Sequence, residues 1–249
     1  MSLFKNIFGK KDKIVPFDLS VFGVDIHSHL IPGIDDGSKT IEDTIILAKG
    51  LQELGYKKII TTPHIMSDYY QNNPEIIREG LEKVKKAFAE NNISLNINIA
   101  AEYYVDYEFV KKIGKKELLT FGDNYILIEF SFLEPTQGYN EAIFKLQTNG
   151  YKPILAHPER YSYWYGNPQE LLALKDRDVM FQLNLLSLTG LYGDASLKII
   201  KLLLDNSLVD WLGTDMHHLG HLEMFRNYNI KESIVELIDK NNILNKTLL

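Results

Sequence analysis

Seven stretches of this chain are strand-like, several of them near-continuous apolar runs: VFGVDIHSH (21–29), KKIITTPH (57–64), LNINIAAEYY (95–104), YILIEF (125–130), KPILAHPE (152–159), VMFQLNLLSL (179–188) and VDWLGTDMH (209–217). Their Ile, Val and Leu content suits strands covered on both faces, the condition of a parallel sheet. Helix-like segments lie between most of them, at 40–55, 74–92, 139–150, 168–176 and 193–206. Strand–helix alternation of this kind leaves two architectures, an (α/β) barrel or an open doubly wound sheet. The first helix carries its own punctuation. Ser38 or Thr40 can cap it, Glu42 and Asp43 favour its positive end, and Gly55 can close it in the left-handed conformation. Pro74 and Pro168 suit first-turn positions.

The 249 residues are 45% hydrophobic, enough for one substantial core, and no repeat or linker divides them. The expectation is a single domain over 21–249 preceded by an extension at 1–20. That extension mixes Leu3, Phe4, Ile7 and Phe8 with Lys5, Lys10, Lys11 and Lys13, and lacks the long apolar core of a signal peptide. A tail packed on its own domain or left mobile is favoured; an amphipathic helix touching an anionic membrane is the alternative. A formal net charge of -6 argues against non-specific nucleic-acid binding. The chain has no cysteine, which excludes disulfides, thiolate metal sites and every cysteine nucleophile.

Polar residues gather where the apolar runs end. His27 and His29 close the first, His64 the second and Glu102 the third; Glu129, His157, and Asp215 with His217 sit near the ends of the fourth, fifth and seventh. The carboxyl ends of parallel barrel strands share one face, so residues distant in sequence would converge there. Residues two apart on a strand point the same way, which pairs His27 with His29 and Asp215 with His217. An ionised Glu129 among apolar neighbours needs a partner, and a metal would supply one. His218 points to the other face and His221 falls in the following loop, so neither counts as a primary ligand.

With Asp36 the candidates number nine, five histidines and four acids. That exceeds the four ligands of a structural zinc and would fill two or three sites with room for water. Clustered divalent ions can activate water and clamp the oxygens of a phosphoryl transfer. Arg160 lies three residues after His157, where a guanidinium could hold phosphate through two parallel hydrogen bonds. The competing reading is a salt bridge to Glu159 or Glu170. Tyr161, Tyr163, Trp164 and Tyr165, with Tyr69, Tyr70, Tyr103 and Tyr104, follow strand ends and could form an aromatic rim; loop aromatics merely covering the barrel are the alternative.

Six motifs, DIHSHLIPGIDDG, TTPH, AAEYY, LIEFS, AHPERY and TDMHH, occur in order between about residue 23 and residue 218. In this order they resemble the PHP (polymerase and histidinol phosphatase) superfamily, and within it the bacterial protein-tyrosine phosphatase branch of the capsule-regulating CpsB/YwqE type. The resemblance implies a distorted seven-stranded (β/α) TIM-like barrel holding two or three divalent ions, manganese first, with iron or zinc as alternatives. It implies His27, His29, Asp36, His64, Glu102, Glu129, His157, Asp215 and His217 as ligands, with Glu129 bridging. Arg160 and Tyr161 become the substrate-binding residues. The implied reaction is in-line attack of water on phosphorus without a covalent phospho-enzyme, Arg160 neutralising the phosphoryl oxygens. His64 and His157 are candidates to assist a phenolic leaving group, whose ordinary pKa of ~10 demands little protonation.

The implied substrate is phosphotyrosine on a protein, foremost a cytoplasmic bacterial tyrosine kinase, with capsular or extracellular polysaccharide synthesis as the regulated process. A histidinol-phosphate phosphatase is the alternative within the superfamily, a phosphodiesterase or nuclease the third. From another class, a non-catalytic metal-binding interaction module competes. One departure stands out. Relatives often carry another functional arginine shortly after the last D-x-H, but HLGHLEMFR places Arg226 further along, leaving His221 as the other candidate.

Overall fold

The computed structural model describes residues 12–249; the amphipathic stretch around residues 3–8, with its membrane-contact alternative, lies outside the described residues. The strands in chain order are β1 (Ile14–Pro16), β2 (Val24–Asp25), β3 (Lys58–Thr61), β4 (His64–Ile65), β5 (Asn96–Ile99), β6 (Glu102–Tyr104), β7 (Tyr125–Glu129), β8 (Lys152–Ala156), β9 (Met180–Asn184), β10 (Trp211–Gly213) and β11 (Asn229–Lys231). The helices are α1 (Ile41–Glu53), α2 (Pro74–Glu90), α3 (Tyr107–Lys112), α4 (Tyr139–Thr148), α5 (Gln169–Lys175), α6 (Gly193–Asp205), α7 (Leu219–Arg226) and α8 (Glu232–Lys240).

The second and third apolar runs each break into two strands. Thr62 and Pro63 separate β3 from β4, where the proline has no N–H to give a ladder, and Ala100 and Ala101 separate β5 from β6. Below the breaks, β2, β3 and β5 form one parallel sheet; above them, β4, β6, β7, β8, β9 and β10 form another in that order. Only β6, not β5, pairs with β7, so the wall is split at that point. The ring closes between the first and last runs. Ser28 bridges Met216 in parallel, Asp215 N–H donates to His27 O at 2.8 Å, and His29 N–H donates to Met216 O at 2.9 Å. Of the two architectures, the chain takes the closed one, a distorted barrel of seven strand runs in sequence order.

Buried Asp25 pins this seam, accepting from Thr214 N–H at 2.9 Å and from the Thr214 hydroxyl at 2.7 Å. At the amino-terminal end, Asn245 plugs the same seam. Its amide donates to Val24 O at 2.9 Å and Leu212 O at 2.7 Å, and its carbonyl accepts from Leu212 N–H at 3.1 Å.

The barrel interior is an apolar plug built around Val24, Ile60, Ala100, Leu127, Ile154 and Trp211. Strand alternation then sets the next layer. Two residues beyond Ala100 and Leu127 stand Glu102 and Glu129; four beyond Ile60 and Trp211 stand His64 and Asp215. The residues that end the apolar runs therefore stack on the plug at the carboxyl-terminal mouth. Outside, the helices bury apolar stripes against the strands, as α2 does with Ile77, Leu81, Val84 and Phe88. Thr40 and Asp43 cap α1 reciprocally, and Asn73 with Pro74 starts α2.

Ile14–Pro16, placed by sequence in the extension, pairs antiparallel with Asn229–Lys231, and Leu19 is buried in the core. Packed structure therefore begins before residue 20. Apart from α8 near the C-terminus, the helices outside the segments expected from sequence are α3 and α7. At six residues α3 is too short to show periodicity, and Asp106 caps it by accepting from Phe109 N–H at 2.7 Å. The stretch after His217, expected to be a loop, is α7. No helix among the described residues is long and apolar enough to cross a membrane.

Candidate metal centre

All nine predicted donors meet at the barrel mouth. They fall into four overlapping sets whose ligand atoms lie within 4.8 Å of one another: His29, Asp36, His64 and His217; His27, His29 and Asp215; His27, Glu102 and His157; and His64, Glu102 and Glu129. Glu102 is the hub. Its Oε2 lies 3.2 Å from His27 Nε2, 3.5 Å from His29 Nε2 and 3.2 Å from His64 Nδ1, while its Oε1 lies 3.1 Å from His157 Nε2. Glu129 spans two imidazoles, 3.7 Å from His64 Nδ1 and 3.5 Å from His157 Nε2. Glu102 thus makes the most imidazole contacts, while Glu129, the bridging ligand that the resemblance implies, stands between His64 and His157. Asp36 closes the outer side, half-exposed, with Oδ1 3.5 Å from both His64 Nε2 and His217 Nε2.

The backbone works to bring these groups together. His157 and Asp215 adopt left-handed conformations at φ 35° and 52°, which turn their side chains inward as their strands end. Gly37 is required because any Cβ there would run into the His29 carbonyl. Asp35, given no role by the sequence, accepts from Gly37 N–H at 3.0 Å and from His64 N–H at 3.1 Å, and holds His29 Nδ1 at 2.8 Å. It ties the first run to the second.

Electrostatics divide the cluster. Burial would raise Glu102, but His27 and His64 outweigh it and hold the carboxyl well below its usual range. Burial and then the charge of Glu102 push Glu129 well above that range. Burial and the nearby Arg160 charge bring His157 down to about 4, a neutral imidazole at physiological pH. Burial would lower His27 as well, but Glu102 and Asp215 lift it to about 9. Among the described residues His29 Nε2 and His64 Nδ1 are buried without a hydrogen-bond partner, and both belong to the sets above. Orphaned imidazole nitrogens among carboxylates fit divalent cations, and the mixed nitrogen and oxygen donor set suits manganese, iron or zinc.

The CpsB/CapC family, described as capsular polysaccharide synthesis, matches residues 23–242. The chain belongs to the CpsB/CapC family. The tyrosine-protein phosphatase YwqE of Bacillus subtilis (strain 168) is 32% identical over 216 residues, covering 86% of this chain and 83% of that one. The tyrosine-protein phosphatase CpsB of Streptococcus pneumoniae is 29% identical over 202 residues, covering 79% and 83%. A solved structure described as YwqE from Bacillus subtilis and CpsB from Streptococcus pneumoniae, "unique metal-dependent tyrosine phosphatases", superposes with a TM-score of 0.76 at 28% identity over 90% of each chain. An amidohydrolase from Mycoplasma synoviae shares only the fold, with a TM-score of 0.50 at 12% identity over 93% of this chain and 87% of that one.

Around this CpsB/CapC centre the structure redraws the outer residues. Arg160 reaches the mouth and donates to Asp215 Oδ2 at 3.1 Å, not to Glu159 or Glu170. Its guanidinium lies between two rings, 4.7 Å from the Phe132 centroid and 4.8 Å from that of Tyr192. Tyr161 does not reach the pocket. It is 0% exposed, its hydroxyl accepting from Phe130 N–H at 3.0 Å and donating to Ala156 O at 3.2 Å. Its ring stacks beneath Phe132 at 5.4 Å, so it supports the wall and is withdrawn as a substrate contact. Tyr103 and Trp164 are core residues too. The aromatic edge is made instead by Phe132 and Tyr192, with Tyr70 stacked on His64 at 5.4 Å. Phe132 sits three residues past Glu129, a position the strand-end argument could have reached; Tyr192, on a loop after β9, carried no such signal.

His221 lies in the first turn of α7 and lines the pocket, its Nδ1 3.2 Å from Asp215 O. Arg226 is exposed at the far end of that helix, paired with Glu223 and Glu53 at 2.6 and 3.1 Å. Arg226 therefore stands away from the pocket, and His221, which lines it, is brought down to about 4 by burial and by His218 and His217, a neutral imidazole and not a cation.

Proposed function

We propose that this protein is a metal-dependent phosphatase acting on phosphotyrosine in proteins. The observation that carries the reading is a guanidinium fixed between two rings at the rim of a nine-donor cluster. Residues His27, His29, Asp36, His64, Glu102, Glu129, His157, Asp215 and His217 would hold two or three divalent ions, manganese first. Such ions supply Lewis-acid activation of water and neutralise phosphoryl charge. Arg160 supplies fixed hydrogen-bond donors to the phosphoryl oxygens, and its contact with Asp215 aims it at the centre. Phe132 and Tyr192 flank the path by which an aryl phosphate would enter, offering faces to its ring. The phenolate of tyrosine leaves with little protonation, which suits a site whose His157 is held neutral.

The likeness to named tyrosine-protein phosphatases supports the substrate class. The absence of cysteine closes the thiolate route to the same reaction. We assign as physiological substrate the tyrosine-rich tail of a bacterial kinase in the cytoplasm, with polysaccharide synthesis as the regulated output. The test compares phosphotyrosine peptides, phosphoserine peptides and histidinol phosphate at equal manganese and pH, before and after chelation. The expected result is the highest kcat/KM on phosphotyrosine, abolished by chelation and restored by manganese. Preference for histidinol phosphate by an order of magnitude overturns the substrate; undiminished activity after exhaustive chelation overturns the chemistry.

A further inference from the structure

Every strand run but one ends in an imidazole or carboxylate of the cluster, and the exception is β9. Its interior face carries Met180, Gln182 and Asn184 in alternation, and the last two are fully buried beside the centre. They are linked in a chain. Asn184 Nδ2 donates to Asp215 Oδ2 at 2.7 Å, Gln182 Nε2 donates to Asn184 Oδ1 at 2.9 Å, and Gln182 Oε1 lies 2.8 Å from His27 Nδ1.

The direction of this chain is forced from one end. Asp215 Oδ2 already accepts from the Arg160 guanidinium at 3.1 Å, so it carries no proton and Asn184 must present its NH2 to it. The Asn184 carbonyl then faces Gln182, which must donate. That leaves the Gln182 carbonyl for His27, whose Nδ1 must bear the hydrogen. Once His27 gives up its second proton, as metal binding requires, Nε2, 3.3 Å from Asp215 Oδ1, is the nitrogen left with its lone pair toward the pocket. Space for the chain is kept by Gly213, where a Cβ would lie 2.6 Å from His27 Cβ and 2.9 Å from Gln182 Nε2. Backbone support comes from buried Glu159, which accepts from Asn184 N–H at 3.0 Å and from the Ser187 hydroxyl at 2.5 Å.

We infer that Gln182 and Asn184 are positioning residues which lock His27 in its Nδ1–H tautomer and Asp215 with Oδ1 inward, so that two ligands 188 residues apart face one divalent cation together. Outer partners of metal ligands act in this way by fixing tautomer and ring orientation. The inference rests on the metal-centre reading and is independent of the substrate.

The test titrates metal-free protein with Mn2+ by calorimetry. Gln182→Met and Asn184→Leu keep the side-chain volume and remove the polar groups. Each is expected to weaken Mn2+ binding by about 10–100-fold. The double variant is expected to lose little beyond the larger single loss, because one broken link disables the chain. Melting of the metal-free variants within a few degrees of the parent separates positioning from a folding defect. Zinc-loaded parent protein labelled with 15N-histidine gives a readout that needs no variant: His27 is expected to carry its hydrogen on Nδ1 and the metal on Nε2. The reverse assignment, strictly additive losses, or parent-like affinity in both variants overturns the inference. A parent protein that binds no Mn2+ overturns the metal-centre reading itself, and the inference falls with it.

Discussion

Glu102 Oε2 lies 3.2 Å from His27 Nε2, a contact between the ends of the third and first strand runs that bridges 75 residues of sequence. The same carboxylate touches His29, His64 and His157, whereas among the imidazoles of the described residues Glu129 approaches His64 and His157. Removing charge at the hub should therefore cost more metal than removing it at the edge. Glu102→Gln is expected to lose at least one ion per chain by elemental mass spectrometry and to weaken Mn2+ binding beyond the about 10–100-fold typical of outer partners. Glu129→Gln should show the smaller loss. Equal losses would return the two carboxylates to equivalent roles.

The pH response of the metal-free protein has a defined sign. His27 is raised from 6.5 to about 9, and His29 is raised as well, with burial opposing and Asp35 leading the attraction. A raised histidine stabilises the fold below its unfolded value of 6.5 and loses that contribution as pH climbs through its folded value. His64 and His157 are lowered, chiefly by burial, so they act below 6.5 and leave this window alone. The Tm of chelated protein should fall between pH 6.5 and 9. Mn2+ affinity should rise over the same interval, since binding must displace these protons. A chelated Tm that climbs across the window would contradict the assignment.

How much of this was readable beforehand follows from where each signal lived. His64, Glu102, Glu129 and Asp215 could be found because each stands two or four residues past a core residue on the same strand face, a spacing that survives into the barrel. The hub role of Glu102 was not readable, because it depends on where the split between β5 and β6 sets that side chain. Gln182 and Asn184 escaped because neutral amides at a strand end look like ordinary polar residues until their partners are known. Tyr161 was misplaced for a simpler reason: beside Arg160 in sequence, it turns inward to satisfy Phe130 N–H and Ala156 O. Short, side-chain-capped helices such as α3 and α7 offer no periodicity to detect.

At the opposite end of the barrel, Asn245 gives a control on stability alone. Asn245→Ala strands two buried carbonyls and one N–H at the seam, each costing about 1–3 kcal/mol when left unpaired. For a chain of this size each kcal/mol corresponds to roughly 2–4 °C in Tm. Calorimetry should show a clear drop in Tm with Mn2+ stoichiometry unchanged. Loss of metal at temperatures where the variant remains folded would mean that the two ends are coupled.

Arg160 separates phosphate binding from metal binding. Its Asp215 contact is one of two that saturate Oδ2, the other coming from Asn184, so Arg160→Ala leaves Asp215 still oriented. Metal content should stay near that of the parent while inhibition by inorganic phosphate weakens. A lost charge-assisted contact of about 1.5–3 kcal/mol predicts a fall of one to two decades in kcat/KM. Arg160→Lys keeps the charge but neither the fork nor the flat face between Phe132 and Tyr192, and should recover only part of the loss. Full recovery would reduce the role of Arg160 to a point charge.

Phe132 offers the sharpest test of the aryl substrate. Its ring stacks on His157 at 5.5 Å and on Tyr161 at 5.4 Å, and it covers one face of the Arg160 guanidinium. Anchored on this inner side, the ring is still 39% exposed, leaving surface for a ligand. An aromatic contact adds about 0.5–1.5 kcal/mol beyond area burial, so Phe132→Ala should lower kcat/KM on phosphotyrosine peptides by about two- to tenfold through that contact alone. Loosening Arg160 would penalise every phosphate ester, so the informative quantity is the ratio of phosphotyrosine to phosphoserine turnover. That ratio should fall in Phe132→Ala and remain near the parent value in Phe132→Tyr, which keeps the ring. A uniform loss on both substrates would make Phe132 a prop for Arg160 and would move recognition of the tyrosine ring to Tyr192 on the other side of the guanidinium.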